Sequence, residues 1–197
     1  DLGELGRSAR FNAGVVLQLK KKHAEALQAF AAAEAQGYAE PALYYHRGES
    51  QAALGQLAPA LESFHTAVAK AEKDPQLQST VPTVRIRLVE TAMALQRYDE
   101  AISGFKVLLQ TNPKDPRLLL GLGMARVGKG ETKAAIEVFD QLIATNPGAP
   151  VYYGRAIAHH QAGQQAASLS DIDQAIKLDP RNPQYNQMRA IIAAPKK

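Results

Sequence analysis

The sequence of 197 residues contains no cysteine and no tryptophan. Without a thiol there is no disulfide, no thiolate metal site and no cysteine nucleophile, an absence that is neutral about compartment. No apolar run approaches the roughly 20 residues that a membrane-spanning helix needs. The five histidines, His23, His46, His65, His159 and His160, include no pair at the i, i+4 spacing of a helical metal site, and the adjacent pair point to different faces. No serine sits in a G-x-S-x-G elbow. Gly121-Leu122-Gly123 is not followed by the Lys-Ser/Thr of a phosphate loop, and we read these glycines as packing residues. Glu131, Glu137 and Asp140 fall on the polar side of a helical segment and read as a solvated face. No catalytic, cofactor-binding or metal-binding residue is therefore assigned, and the segment reads as not an enzyme. Its net charge is +4, but 19 acidic residues are interleaved with 23 basic ones, which disfavours nucleic acid as a partner. The short clusters Lys20-Lys21-Lys22 and Lys196-Lys197 read as a favourable helix C-terminus and a solvated tail.

What is present is repetition. From Pro116 to Pro147 the sequence reads as a helical hairpin. Leu119, Leu122 and Ala125 line its first helix, Gly128-Lys129-Gly130 make the turn, and Ala135, Ile136, Phe139, Leu142 and Ile143 share a face of the second. Taking Phe139 as anchor, the same position holds Phe30, Phe64, Phe105 and Ile172, at steps of 34, 41, 34 and 33 residues. Four residues before each anchor stands Ala26, Ala60, Ala101, Ala135 or Ser168. Three after it stands Ala33, Ala67, Leu108, Leu142 or Ala175, and sixteen before it Gly14, Gly48, Val89, Gly123 or Ala156. Pro113, Pro147 and Pro180 follow three anchors by eight. Small residues in both helices let the backbones approach, the aromatic fills the space beyond, and proline ends the hairpin because it has no N–H to continue it. A single hairpin cannot bury its apolar face, so such units must stack.

These columns resemble the tetratricopeptide repeat family. The resemblance implies an all-α, right-handed α-solenoid of stacked antiparallel helix pairs, a superhelix. We place five repeats at about 7–40, 41–74, 82–115, 116–148 and 149–182. A lead-in occupies 1–6, an inserted loop lies near 73–81, and a capping helix near Pro183–Ala193 is followed by a tail. Departures are modest. Tyr44 and Tyr152 stand where the early aromatic is expected, against Arg10, Arg85 and Leu119 elsewhere, and Val89 replaces the usual glycine.

In that family the first helices line a concave groove that holds peptides. Carried onto this chain, the groove positions are Phe11, Asn12, Val15 and Leu19; Tyr45, His46, Glu49 and Ala53; Ile86, Arg87, Glu90 and Met93; Arg117, Leu120, Met124 and Val127; and Tyr153, Ile157, His160 and Gln161. The subgroup that clamps chaperone C-terminal tails needs Lys and Asn one turn apart on a first helix. Here Phe11/Val15, Tyr45/Glu49, Ile86/Glu90, Leu120/Met124 and Tyr153/Ile157 stand instead, so that partner is disfavoured. An apolar peptide or helix suits the apolar and aromatic positions, which would otherwise pack between repeats. The reading is a non-catalytic scaffold for a peptide or protein partner. Its alternatives are a targeting or assembly module of a larger bacterial enzyme, secretion or envelope complex, or a homo-oligomer whose terminal helix fills a neighbour's groove. The start at Asp1 rather than Met suggests a processed protein or an excised fragment, and the location is expected to be cytoplasmic or at the bacterial envelope.

Overall fold

A computed structural model describes residues 2–194, with side chains from Gly6 onward. Among the described residues there are eleven α-helices and no strand. The chain divides into two compact units, Asp1–Arg97 and Tyr98–Lys197. The first holds α1 (Leu2–Leu19), α2 (His23–Ala35), α3 (Pro41–Ala53), α4 (Leu57–Ala71) and α5 (Val81–Ala94). The second holds α6 (Tyr98–Thr111), α7 (Pro116–Lys129), α8 (Thr132–Thr145), α9 (Ala149–Gln161), α10 (Gln165–Leu178) and α11 (Pro183–Ala193). Within each unit every helix packs against its neighbour in sequence, the pattern of a repeat array.

The column of small residues four before the anchor, Ala26, Ala60, Ala101, Ala135 and Ser168, is fully buried. Glycine sixteen before the anchor does more than admit a backbone. A Cβ built on Gly14 would stand 2.4 Å from a carbon of the Phe30 ring, one on Gly48 2.7 Å from Phe64, and one on Gly123 2.5 Å from Phe139. Each glycine is thus the floor of a socket filled by its own anchor ring, not a gap beside it. The fifth repeat has no ring, and Ser168 Oγ there donates to the Ala156 carbonyl at 2.7 Å, so the polar atom is buried with a partner.

A further column emerges at the turn inside each hairpin. Lys21, Gly55, Gln96, Gly130 and Gly163 all stand nine residues before an anchor, and all have positive φ, between 58° and 83°. Each turn closes with the same two backbone bonds. At Gly55 they run from Gly55 N to Ala52 O (2.9 Å) and from Gln56 N to Gln51 O (2.9 Å). At Lys21 they run from Lys21 N to Gln18 O (2.8 Å) and from Lys22 N to Leu17 O (2.9 Å). This double closure satisfies the last carbonyls of the first helix and fixes the angle at which the second begins.

Three details differ from the sequence expectation or sharpen it. Helix α1 begins at Leu2, inside the segment expected as a lead-in. The inserted loop carries a 3-10 turn at Pro75–Leu77. Helix α11 spans Pro183–Ala193, with Tyr185 and Ile192 buried against Ile172 and Ala175 of α10. The tail with Lys196 and Lys197 lies outside the described residues.

Candidate functional site

In the first unit the first helices of the hairpins are α1, α3 and α5, and the candidate residues of α3 gather around Tyr45 and His46. Gln18 of α1 clasps α3 by two bonds: its Oε1 lies 2.7 Å from His46 Nδ1, and its Nε2 donates to the His46 carbonyl at 3.1 Å. The His46 ring stacks on Phe30, with centroids 6.3 Å apart, and meets Tyr45 edge-on at 5.3 Å. Burial pushes the His46 pKa below its ordinary 6.5, against a smaller upward pull from Glu49.

One turn along α3, Glu49 accepts a 2.5 Å bond from Arg87 Nε of α5, while Arg87 Nη1 donates to Glu90 at 2.5 Å. Burial works to lower the Arg87 pKa, but the two carboxylates outweigh it and hold the guanidinium charged. Tyr45, half-buried, has its hydroxyl pKa raised by burial first and then by Glu49.

Two recesses flank Tyr45. One of about 470 Å³ is lined by Gln18, His23, Tyr45, His46, Glu49, Ala52, Ala53 and Arg87. Among the described residues the buried Nδ1 of His23 has no hydrogen-bond partner. The other, of about 500 Å³, is lined by Tyr38, Glu40, Pro41, Ala42, Tyr45, Leu77, Ser79, Thr80, Thr83 and Val84. The structure therefore brings together Tyr45, His46, Glu49 and Arg87, with Glu90 bound to Arg87. Ile86 and Met93 are half-buried on the same helix α5, and Asn12, Leu19 and Ala53 are exposed with Val15 half-buried.

Phe11 requires a correction. It is only 9 % exposed and stacks face to face on Tyr38 at 4.8 Å, so it belongs to the interior between α1 and the end of α2. In the second unit most candidate positions serve the core in the same way. Val127 is buried, and Leu120, Met124 and Ile157 pack against the cluster around Phe139, Leu142 and Val151. Tyr153 is half-buried beside Tyr185, with ring centroids 5.0 Å apart. His160 borders a small recess with Gln165 and Ile192. Arg117 is free in solvent apart from a 3.5 Å contact to Asp115, the cap of its own helix, and Gln161 is exposed.

Sequence reasoning misses four features. Gln18 and Glu40 carry no motif. Leu77, Ser79 and Thr80 come from the insertion. Arg47 and Arg155 stand seventeen residues before their anchors, a register visible in the sequence once sought. Arg47 bonds Ser63 (3.1 Å) and Glu34 (2.7 Å); Arg155 bonds both oxygens of buried Asp171 (2.8 and 2.7 Å) and Asp140 (2.5 Å). Each arginine ties its hairpin to the second helix of the preceding one. Among the described residues no group of His, Asp and Glu is placed to hold a metal ion, and no helix is long and apolar enough to cross a membrane.

Two tetratricopeptide repeat models match the sequence, over residues 92–159 and 149–182. Among solved structures the fold is similar to that of YrrB, described as a tetratricopeptide repeat protein with an unusual peptide-binding site. That match has 16 % identity, covers 92 % of this chain and 90 % of the other, and has a TM-score of 0.76. It is also similar to TTC0263, a thermophilic tetratricopeptide repeat protein of Thermus thermophilus, with 22 % identity, coverage of 94 % and 98 %, and a TM-score of 0.60. MamA from Desulfovibrio magneticus RS-1 matches at 15 % identity, with coverage of 88 % and 95 % and a TM-score of 0.72. No curated protein sequence matches. The model matches over residues 92–182, the five in-phase anchors and the pairwise stacking of helices converge: the chain has the fold of a tetratricopeptide repeat array.

Proposed function

We propose that this chain is a non-catalytic scaffold that binds a peptide or protein partner on the first-helix face of its first unit, across α1, α3 and α5. The observation that carries the reading is Tyr45. It stands half-exposed between two recesses, on a helix locked to α1 by Gln18 and to α5 by the Glu49–Arg87 pair. A surface held in place before binding loses little freedom on binding, and a rigid aromatic at its centre is the residue type that most often anchors an interface. The peptide-binding description of the similar YrrB points the same way. Glu40, Glu49 and Glu90 on this face would repel a terminal carboxylate, so a chaperone tail is not the expected ligand.

The test is selection from a displayed random-peptide library against the full chain. Enriched peptides should lose about tenfold in affinity, the equivalent of roughly 1.4 kcal/mol, on Tyr45→Ala at unchanged helical circular dichroism. Peptides that bind the Tyr45→Ala protein as well as the parent, or a library that yields no binder, would refute the assignment.

A further inference from the structure

The step of 41 residues between the second and third anchors adds seven residues that the other repeats lack. The added segment is pinned. Asp74 accepts from Gln76 N at 2.9 Å, Gln78 Nε2 donates to the Glu72 carbonyl at 2.9 Å, and Thr80 Oγ1 donates to the Leu77 carbonyl at 2.7 Å. It forms one wall of the recess of about 500 Å³ beside Tyr45. Leu77 and Val84 with Pro41 make that recess mainly apolar, and its one charged lining residue is Glu40.

Glu40 is unlike its neighbours. Glu34, Glu49, Glu72 and Glu90 each have an arginine partner. Glu40 sits at the cap position of α3, yet its side chain makes no cap bond. It has no ion pair among the described residues either. Its charge also reaches the Tyr38 hydroxyl, which burial and Glu40 together hold above its ordinary pKa.

We propose that this recess is a socket for a basic side chain, arginine or lysine, of a bound peptide: the stem lies against Leu77, Pro41 and Val84, and the cation meets Glu40. The proposal rests on the peptide-binding reading above and assigns its specificity. A lysine or arginine is itself a long apolar stem with a charged head, the shape and polarity this recess complements. The rest of the face agrees in sign, since Glu40, Glu49 and Glu90 stand against Arg87 on a chain whose net charge is +4. An incoming cation is drawn to that field.

The experiment uses the full chain and two probes, acetyl-Ala-Arg-Ala-amide and the same peptide with norleucine in place of arginine. Methyl signals of Thr83 and Val84 are followed by NMR as each probe is titrated at millimolar concentration. The arginine probe should shift both signals and bind about tenfold tighter than the norleucine probe, and Glu40→Gln should remove most of that difference. Because Glu40 makes no cap bond, the Gln variant is expected to fold normally, which its spectrum away from the recess reports. Equal binding of the two probes overturns the socket while leaving peptide binding on this face intact. Binding of the arginine probe that survives Glu40→Gln, or no shift with either probe, overturns it as well.

Discussion

At Lys21 and Gln96 the chain adopts a left-handed conformation (φ 59° and 58°) that glycine adopts at the equivalent positions 55, 130 and 163. For a residue with a Cβ this conformation costs roughly 1–2 kcal/mol. Both side chains are exposed, so little packing is lost when they are removed. Glycine brings its own cost of roughly 0.5–1 kcal/mol, because it has more freedom to lose on folding. The balance for Lys21→Gly or Gln96→Gly is a stabilisation of about 0.5–1 kcal/mol. In a chain of this size that raises the melting temperature by roughly 1–4 °C per substitution. The reciprocal change, Gly130→Ala, introduces the strain that the other two remove and should cost about 1 kcal/mol. Thermal unfolding followed by circular dichroism, with a urea titration read at two wavelengths to check for separate transitions of the two units, measures both. A Lys21→Gly protein that melts below the parent, or a Gly130→Ala protein that melts with it, would show that backbone conformation does not control these turns.

A methyl group at Gly123 would lie 2.5 Å from the Phe139 ring, and one at Gly154 would lie 2.6 Å from the same ring. Overpacking of roughly 1–3 kcal/mol should outweigh a helix-propensity gain of about 1 kcal/mol, so Gly123→Ala lowers the urea midpoint and a compensating Phe139→Leu restores part of it. Arg155→Leu leaves Asp171, 4 % exposed, without its bidentate partner; the expected loss is about 3 kcal/mol, less whatever His159 at 3.6 Å recovers, measured by denaturant unfolding. His46 has a folded pKa below its unfolded value near 6.5. The unfolded chain therefore binds the proton more readily, and the first unit loses stability as pH falls from about 6.5 through the folded pKa. Above that range the term vanishes. Hydrogen exchange of first-unit amides at pH 7 and pH 5 should show the loss, and His46→Gln should flatten it. Asp115 accepts from the backbone N–H groups of Arg117 (2.9 Å) and Leu118 (3.4 Å), so Asp115→Ala should cost about 1 kcal/mol in the same unfolding assay.

The fold is legible because the anchors are large and the column residues small, and both leave a direct mark in the sequence. Helix α11 falls on the residues that its proline and its apolar spacing indicate, with Pro183 at its first position. The turn column leaves no such mark because it is defined by a backbone angle, and in two of five repeats the residue holding that angle is Lys21 or Gln96 rather than glycine. Phe11 reads as a groove residue because its register matches Tyr45. What buries it is Tyr38, a residue between α2 and α3 that no helical period predicts. Likewise the wall formed by Leu77, Ser79 and Thr80 depends on how an insertion folds back, through Gln78 and Thr80, and not on any repeat. Local spacing reports what one helix does with its own hairpin. It is silent about which side chain arrives from elsewhere.

The contact between successive first helices explains why the two units present different faces. It joins the residue fifteen before one anchor to a residue in the next hairpin's first helix. In the second unit this is Met124 against Gly154, where a Cβ on the glycine would lie 3.2 Å from the methionine sulfur. The long flexible side chain fills the space of the missing one, and the position is spent on packing. In the first unit the corresponding contact is Glu49 with Arg87, whose side chains remain 25 % and 36 % exposed. An ion pair of that exposure contributes about 0–1 kcal/mol to stability. A fold that needed only cohesion at this point would be served at least as well by the methionine–glycine arrangement found in its own second half. Holding a guanidinium between two carboxylates at the surface, beside Tyr45 and His46, adds little to the array and much to what the array displays. For that reason we propose that recognition centres on α3 and α5, with α1 holding α3 in place, and is not spread evenly over every first helix.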